Sequence, residues 1–238
     1  MITDLYPFIR QCIDWVLPIS CVLCGQITQG PSNICPACTA HLPWIPFACG
    51  RCGLPLSQSS AICGACLTSP PLYQHLQALF CYEFPIDQLI LGLKFQRHLL
   101  YARLLGELLA LRLRRYYTTG VPVPAMLIPV PLHKKRLRQR GFNQATELAK
   151  QVNKMLHIPI GYDRVQRVKY TPAQMELPLT ERAQNVKNAF VVKKSLPAHV
   201  AIIDDVVTSG HTIQALSQAL HATGVKQIDV WCIARTVK

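Results

Sequence analysis

The chain has 238 residues, of which 50% are hydrophobic, and it carries a formal net charge of +13 with a pI of about 9.4. No run approaches the roughly 18 consecutive apolar residues that a membrane-spanning helix needs, which excludes that class of protein. The basic excess favours an anionic partner (nucleic acid, a phosphate-rich small molecule or an anionic membrane) over a merely solvated basic surface. The length suggests one large domain, or a medium domain with a small one.

The cysteine content bears on the cellular compartment. Eleven cysteines would suggest disulfide bonds in a secreted protein. The N-terminal residues lack a basic segment, however, and Asp4, Arg10 and Asp14 interrupt their apolar positions, so they do not form a secretory signal. We therefore expect a soluble protein of the cytoplasm, a reducing compartment in which cysteines bind metal.

Eight of the cysteines form four Cys-x-x-Cys pairs, all before residue 70: Cys21/Cys24, Cys35/Cys38, Cys49/Cys52 and Cys63/Cys66. This spacing lets two thiolates from one tight turn reach a single tetrahedral metal ion. Ten residues separate the first pair from the second, and ten separate the third from the fourth, which favours a duplicated zinc ribbon over a redox pair. We predict a zinc-ribbon region over residues 1–70 with two structural Zn²⁺ ions. Sequential pairing is the natural arrangement, and an interleaved one stays open.

Residues 71–238 alternate between strand and helix patterns. We predict strands at 78–84, 126–130, 160–168, 189–192, 200–203 and 227–234, and helices at 85–94, 99–117, 143–156 and 212–222. Such alternation predicts a parallel sheet with helices on both faces, which makes this an α/β domain. The polar stretch 171–188 has no assignment from periodicity.

A basic run follows the predicted strand at 126–130. Five of the eight residues from His133 to Arg140 are lysine or arginine. At the end of a core strand, such a run suits a diphosphate or a nucleic-acid backbone, and Phe142 suits base stacking. A solvated basic loop, with Phe142 in the core, is the alternative. The candidate binding residues are Lys134, Lys135, Arg136, Arg138, Arg140, Gly141, Phe142, Asn143 and Gln144.

A second candidate site follows the apolar strand Val200–Ile203. Asp204 and Asp205 stand where the strand ends, and two carboxylates there accept hydrogen bonds from vicinal hydroxyls. The loop from Val206 to Thr212 contains hydroxyls and a glycine, and it leads into a helix whose positive end favours an anion. A magnesium-binding strand of a nucleotide hydrolase would require a G-x-x-x-x-G-K-[ST] loop, which the sequence lacks. A solvent-exposed acidic turn is the remaining alternative.

These residues resemble the signature with which type I phosphoribosyltransferases bind phosphoribosyl diphosphate (PRPP). The resemblance implies that Asp204 and Asp205 hold the ribose hydroxyls. It implies a phosphate loop of Val206, Val207, Thr208, Ser209, Gly210, His211 and Thr212, and Mg²⁺ that accompanies PRPP. Family members that act on 6-oxopurines carry a carboxylate where this chain has Thr208, so a purine-salvage role is disfavoured.

Nearly the whole chain is similar to the ComF family (competence protein F). The similarity lies in the paired cysteines, Leu93-Lys94-Phe95, the segment from Pro129 to Gln144, Arg182 with Asn185 and Phe190, and the Asp204-Asp205 loop. It implies a type I phosphoribosyltransferase-like domain over residues 71–238 behind the small N-terminal zinc-ribbon domain. The chain departs from the family at Ser209 and His211, where threonine and a small residue are more usual, and this bears on ligand affinity.

Residues 167–185 match the family's pattern between two core strands. In related transferases this region is a mobile loop that closes on the substrate, and the matching residues are Thr171, Gln174, Arg182 and Asn185. The alternative is a surface helix with Thr180 as its N-cap.

The resemblance implies a cytoplasmic protein of natural transformation that handles incoming single-stranded DNA during or after uptake and has a PRPP pocket. Family resemblance alone adds a helicase of the uptake machinery as a partner. Two alternatives stay open. One is an active phosphoribosyltransferase on an unknown acceptor, and the other is a DNA-binding protein regulated by PRPP. No catalytic residue is assigned, and catalysis is left open.

Overall fold

The computed structural model describes residues 19–28, 31–58, 62–170 and 188–237. The chain divides into two compact units, Met1–Leu42 and Pro43–Lys238. Each unit contains one of the two cysteine groups. The division predicted at residue 70 stays a prediction.

The two cysteine groups have the same local structure. In each, the first cysteine donates its N–H to a carbonyl five residues later and accepts from a glycine four residues later, as Cys21 does with Gln26 and Gly25 at 2.8 and 2.9 Å. Cys49 repeats this with Leu54 and Gly53, both at 2.9 Å. Each group closes with a five-residue helix, α1 (Pro36–Ala40) or α2 (Gly64–Thr68). The duplication predicted from spacing is therefore present in the backbone.

The larger unit contains the remaining elements. Its strands are β1 (His75–Cys81), β2 (Met126–Pro129), β3 (Val165–Arg167), β4 (Phe190–Val192), β5 (His199–Val207) and β6 (Gln227–Arg235). Its further helices are α3 (Ile86–Phe95), α4 (Leu99–Tyr117), α5 (Lys134–Arg140), α6 (Gln144–Leu156) and α7 (His211–His221). Four strands form a parallel sheet in the order β1-β6-β5-β2, which confirms the predicted parallel sheet.

Helices cover both faces of this sheet. Val200 and Ile202 of β5 belong to one core cluster with Ile213 and Leu216 of α7. Alternation along the strand places the buried Ala201 on the opposite face. Helices α4 and α6 pack together there, and they contact β6 and β5 respectively. No helix in the described part of the chain is long and apolar enough to cross a bilayer.

Several boundaries differ from the sequence prediction. Strand β1 begins at His75 rather than at residue 78, because it pairs with β6 from Asp229 onward. The strand predicted at 160–168 is confined to Val165–Arg167 and pairs antiparallel with β4, outside the main sheet. The basic run, to which the sequence prediction assigns no helix or strand, is a helix with His133 and Gly141 as its caps. Helix α4 has the predicted bounds.

Candidate functional site

The two segments singled out in the sequence meet at one cavity of about 400 Å³ in the larger unit. From the acidic segment it is lined by Asp204, Asp205, Val206, Val207, Thr208, Gly210 and Thr212. From the basic segment it is lined by Arg136, Arg140, Asn143 and Gln144. The other candidates, which are Lys134, Lys135, Arg138, Gly141, Phe142, Ser209 and His211, are not among its lining residues.

The two aspartates occupy the last part of β5, which continues four residues beyond its predicted end at 203. The Asp204 carboxylate accepts a hydrogen bond from the N–H of Asp205 at 2.9 Å. Asp205 is 8% exposed, and its Oδ2 lies 3.0 Å from Nζ of Lys94 at the end of α3. One of the two carboxylates is thus already paired with a cation.

Asp204 has an unusual ionisation for an aspartate. Its burial, with the neighbouring Asp205 carboxylate, raises the pKa of Asp204 to about 7, although the charge of Lys94 opposes this. Near neutral pH the pair therefore holds a proton that it can share with a bound hydroxyl.

The loop after β5 has the backbone geometry of an anion site. Gly210 has φ +80°, in the left-handed region that favours glycine, and is the N-cap of the eleven-residue helix α7. The first N–H groups of such a helix are free to bind an anion, which the helix dipole also attracts. Beside them, Ser209 Oγ and His211 Nδ1 form a hydrogen bond at 3.0 Å.

Helix α5 presents its basic residues in two directions. Arg136 and Arg140, one turn apart, line the cavity, whereas Lys134, Lys135 and Arg138 are exposed to solvent. The helix ends at Gly141, whose φ of +83° reverses the chain. One helix therefore directs two arginines into the cavity and three cations outward.

Two amide side chains fix the start of α6 beside the cavity. Asn143 caps the helix through Ala145 N–H at 3.1 Å and donates to the carbonyl of Val130 at 3.0 Å. Gln144 is 2% exposed and accepts from Arg140 Nη1 at 3.0 Å. Its Nε2 has no partner among the described residues, so a donor stays available next to the cavity.

Sequence reasoning assigned no role to several residues at this site. Lys94, Tyr82, Arg167 and Thr236 line the cavity, and Arg235 holds the loop from behind. Arg235 ends β6, which is parallel to β5, so its place at the same sheet edge as the aspartates was the available signal. Thr171, Gln174, Arg182 and Asn185 lie outside the described residues.

The cysteines form two groups whose ligand atoms all lie within 4.8 Å of one another. The first cluster is Cys21, Cys24, Cys35 and Cys38, and the second cluster is Cys49, Cys52, Cys63 and Cys66. Each pairing is sequential. The Sγ atoms of Cys24 and Cys35 lie 3.8 Å apart, and those of Cys52 and Cys63 lie 3.6 Å apart. Four thiolates at about 2.3 Å from Zn²⁺ would be about 3.8 Å apart, so both clusters fit tetrahedral zinc.

Backbone N–H groups favour the thiolate form of one cysteine in each cluster. Burial disfavours ionisation of Cys21 and Cys49, but surrounding backbone N–H groups outweigh it and lower the pKa of each to about 6. Thiolates are the form that binds zinc. All eight cysteines are free of disulfide bonds, and coordination by four cysteines leaves no open position for water, as in a structural site.

Comparisons with known proteins match the cysteine region to a family model and most of the chain to two relatives. Residues 12–67 match the family model described as a double zinc ribbon domain. The DNA utilization protein YhgH of Escherichia coli (strain K12) is 36% identical over 224 residues, which cover 91% of this chain and 90% of that protein. Competence protein F of Haemophilus influenzae is 37% identical over 221 residues, which cover 90% of this chain and 96% of that protein.

One solved structure is similar to part of this chain. A purine phosphoribosyltransferase from Pyrococcus horikoshii matches 55% of this chain and 70% of its own, with a TM-score of 0.34 and 20% sequence identity. At that TM-score the overlap decides neither fold nor activity. The α/β description therefore depends on the strand order and the helices that cover the sheet.

Proposed function

The chain belongs to the family of competence protein F and DNA utilization protein YhgH, and from this premise we propose that it handles incoming single-stranded DNA in natural transformation. In the same proposal the cavity beside the Asp204-Asp205 pair binds PRPP. The protein acts in the cytoplasm, where a helicase of the uptake machinery is its partner.

The convergence of two anion-binding elements on one cavity is the observation that supports this proposal. The loop before α7 offers backbone N–H groups and hydroxyls for a 5-phosphate, and Asp204 and Asp205 suit the ribose hydroxyls. Arg136 and Arg140 enter from α5, where a diphosphate would lie. A phosphorylated sugar uses both sides of such a cavity at once, whereas a simple anion needs only one.

Mg²⁺ accompanies PRPP in this proposal. Carboxylate oxygens are suitable ligands for the ion, and Asp204 and Asp205 are the lining residues that offer them. Lys94 already pairs with Asp205 at 3.0 Å, so the ion would depend more on diphosphate oxygens than on this pair. We therefore expect PRPP to bind more weakly, but measurably, without Mg²⁺.

The outer surface of α5 supports the DNA part of the proposal. The outward-facing Lys135 lies over the ring of Tyr170, at 5.0 Å from its centroid, and the cavity-lining Arg140 lies over Phe95 at 5.5 Å. Both rings are accessible, with Tyr170 at 44% exposure and Phe95 at 67%. Single strands bind to surfaces that combine cations for the backbone with aromatic faces for the bases. These rings are better placed for stacking than Phe142, which is half-buried.

An active phosphoribosyltransferase is the second candidate. The Asp204 carboxyl, with a pKa of about 7, is suited to proton transfer at neutral pH. Under the third alternative PRPP is a regulator and DNA affinity changes when it binds. These three functions differ in whether PRPP is consumed and in whether the two ligands affect each other.

Calorimetry with PRPP and Mg²⁺, with and without single-stranded DNA, tests the proposal. We expect PRPP to bind wild type and not the Asp204→Ala/Asp205→Ala variant. A change in PRPP affinity when DNA is present indicates regulation, and release of pyrophosphate indicates catalysis. Absence of PRPP binding to wild type would refute the pocket assignment.

Salt titration tests the DNA surface. Lys135→Ala with Arg138→Ala, which removes two outward-facing cations, should lower the salt slope of single-stranded DNA binding by about 1.4, because each lost phosphate contact removes about 0.7. Arg112→Ala with Arg115→Ala is the matched control, since it removes the same charge from exposed positions on α4. Equal slopes for the two double variants would show that DNA does not bind at α5.

A further inference from the structure

Arg235, the last residue of β6, is buried between the phosphate loop and the second cluster, with 6% exposure. Its Nη1 donates to the carbonyls of Val207, at 3.0 Å, and of Thr208. Its Nε donates to the carbonyl of Cys52 at 3.2 Å. One guanidinium thus joins a zinc-ligand residue to the loop that begins the proposed phosphate site.

The charge of Arg235 needs compensation at this depth. No described carboxylate lies within ion-pair distance of it, and its recorded acceptors are backbone carbonyls and the hydroxyl of Thr236. Four thiolates around one Zn²⁺ carry a net charge of −2, and the second cluster is where that charge would lie. The cluster supplies a hydrogen-bond acceptor through the Cys52 carbonyl, and with zinc bound it would also supply an opposing charge.

The hydrogen bonds of Arg235 also orient donors. A peptide unit is planar, and its carbonyl and N–H point in opposite directions. By holding the carbonyls of Val207 and Thr208, Arg235 directs the N–H groups of Thr208 and Ser209 away from itself. Thr208 lines the cavity, so its amide is among those that a bound phosphate would use.

The turn that contains Cys49 and Cys52 has two further attachments to the sheet. His75 Nδ1 of β1 donates to the carbonyl of Gly50 at 3.2 Å. Gly53 lies so close to Leu76 that a Cβ at residue 53 would be 2.4 Å from Leu76 Cδ2. The cysteine turn is therefore fixed to β1 on one side and to Arg235 on the other.

We propose that Arg235 is the positioning residue of the phosphate loop and that zinc in the second cluster holds Arg235 in place. Metal occupancy of this cluster then sets the order of the Val207–Ser209 backbone and, through it, the affinity for a phosphorylated ligand. The part that concerns affinity rests on the proposed function. The part that concerns loop order does not.

The test uses the full-length, zinc-loaded chain and three variants. Arg235→Gln removes the guanidinium and should keep both zinc ions. Cys63→Ser removes a ligand of the second cluster. Cys35→Ser is the matched control, because Cys35 has the same position in the first cluster and likewise precedes a five-residue helix. Zinc content is measured for each variant.

Hydrogen exchange of the ligand-free proteins gives the first readout. Amides 208–210 should exchange on the order of tenfold faster in Arg235→Gln and Cys63→Ser than in wild type, and at the wild-type rate in Cys35→Ser. If amides 208–210 of Arg235→Gln exchange at the wild-type rate, the proposal is wrong. Equal acceleration in both cysteine variants would also overturn it. If Cys63→Ser does not fold, Arg235→Gln still decides the positioning role.

PRPP affinity gives the second readout. Arg235→Gln and Cys63→Ser should bind PRPP on the order of tenfold more weakly, whereas Cys35→Ser should bind as wild type does. If wild type does not bind PRPP, the proposed function fails, and the exchange rates still decide the positioning role. If exchange accelerates while affinity is unchanged, the link from loop order to ligand binding is wrong.

Discussion

The two cysteine clusters have nearly the same local structure but different attachments. In the first cluster the described contacts stay close in sequence, as when His41 Nδ1 donates to the carbonyl of Ala37 at 2.8 Å. The second cluster is bound to the sheet through Arg235 and His75. The same motif therefore lies in a small compact unit in one copy and beside the candidate site in the other.

Residues 43–45, which precede the second cluster, make further contacts with the sheet. Ile45 donates to the carbonyl of Leu79 at 3.0 Å, and Cys81 donates to that of Pro43 at 2.9 Å, so residues 43–45 pair with the edge of β1. Trp44 packs on Phe80 with ring centroids 4.5 Å apart. The double zinc ribbon match covers residues 12–67, yet the compact units separate between Leu42 and Pro43.

Removal of zinc should give the largest difference between the two clusters. Structural zinc contributes about 10–16 kcal/mol in small zinc-finger peptides, which do not fold without it. We expect a strong chelator to unfold residues 19–42 completely, while β5 and β6 keep their slow amide exchange. Residues 49–66 should lose protection and yet stay attached through β1. Hydrogen exchange before and after chelation measures this, and equal loss of protection in the sheet would contradict it.

The sequence predicted both clusters because metal spacing is a local property. Cys-x-x-Cys turns and the ten-residue intervals require no knowledge of the fold. The residues that attach the second cluster to the loop, Cys52 and Arg235, are 183 positions apart. The parallel pairing of β6 with β1 on one side and β5 on the other places Arg235 between the cysteine turn and the loop. Contacts of that kind depend on the three-dimensional fold.

Two local features that the sequence prediction missed have physical reasons. Strand β5 continues through Asp204 and Asp205 because β6 supplies partners as far as Arg235, and this pairing overrides the low strand propensity of aspartate. The basic run forms a helix because lysine, arginine and leucine favour one. His133 accepts from Lys135 N–H at its start, and Gly141 ends it, so both caps were visible in the sequence.

Substitution of equivalent glycines should give the second-largest difference. Gly25 and Gly53 both have positive φ, +75° and +64°, so alanine at either position should cost about 1–2 kcal/mol. A Cβ at Gly25 would meet nothing within 4 Å, whereas at Gly53 it would meet Leu76. We expect Gly53→Ala to destabilise its own unit by about 3 kcal/mol in total, since overpacking adds about 1–2 kcal/mol.

Hydrogen exchange in each unit of the two alanine variants provides the measurement. Gly25→Ala is the control for the backbone penalty alone. Equal destabilisation by the two substitutions would mean that the contact between residue 53 and Leu76 relaxes freely, and it would weaken the distinction between the clusters.

The dependence of stability on pH should also differ between the larger unit and residues 19–42. Burial and Asp205 raise the pKa of Asp204 to about 7 from an unfolded value near 3.8, so the folded state binds the proton more tightly. The larger unit should then lose stability as pH rises from about 4 to 7, and the loss should level off above that. Residues 19–42 contain no aspartate or glutamate, so this segment has no such source of destabilisation.

Asp204→Asn isolates this ionisation. At pH 8 the variant should be more stable than wild type by on the order of 2 kcal/mol, because the buried charge is gone. At pH 5 the gain should be smaller, because only the first part of the loss between about pH 4 and 7 has then occurred. Exchange of β6 amides at both pH values measures the difference, and an equal gain at pH 5 would exclude ionisation as its cause.

The smallest expected effect concerns the two exposed histidines that bind carbonyls near the clusters. His75 donates to Gly50 of the second cluster's turn, whereas His41 donates to Ala37 within the first. Such a hydrogen bond contributes about 0.5–1.5 kcal/mol, and exposed ones lie at the lower end. His75→Ala should therefore speed zinc release from the second cluster only about twofold, and His41→Ala should act similarly on the first. Each rate is measured with a chromogenic chelator in a background where the other cluster has lost a cysteine. If His75→Ala leaves release from the second cluster unchanged, Arg235 and the 43–45 pairing are enough to fix that turn to the sheet.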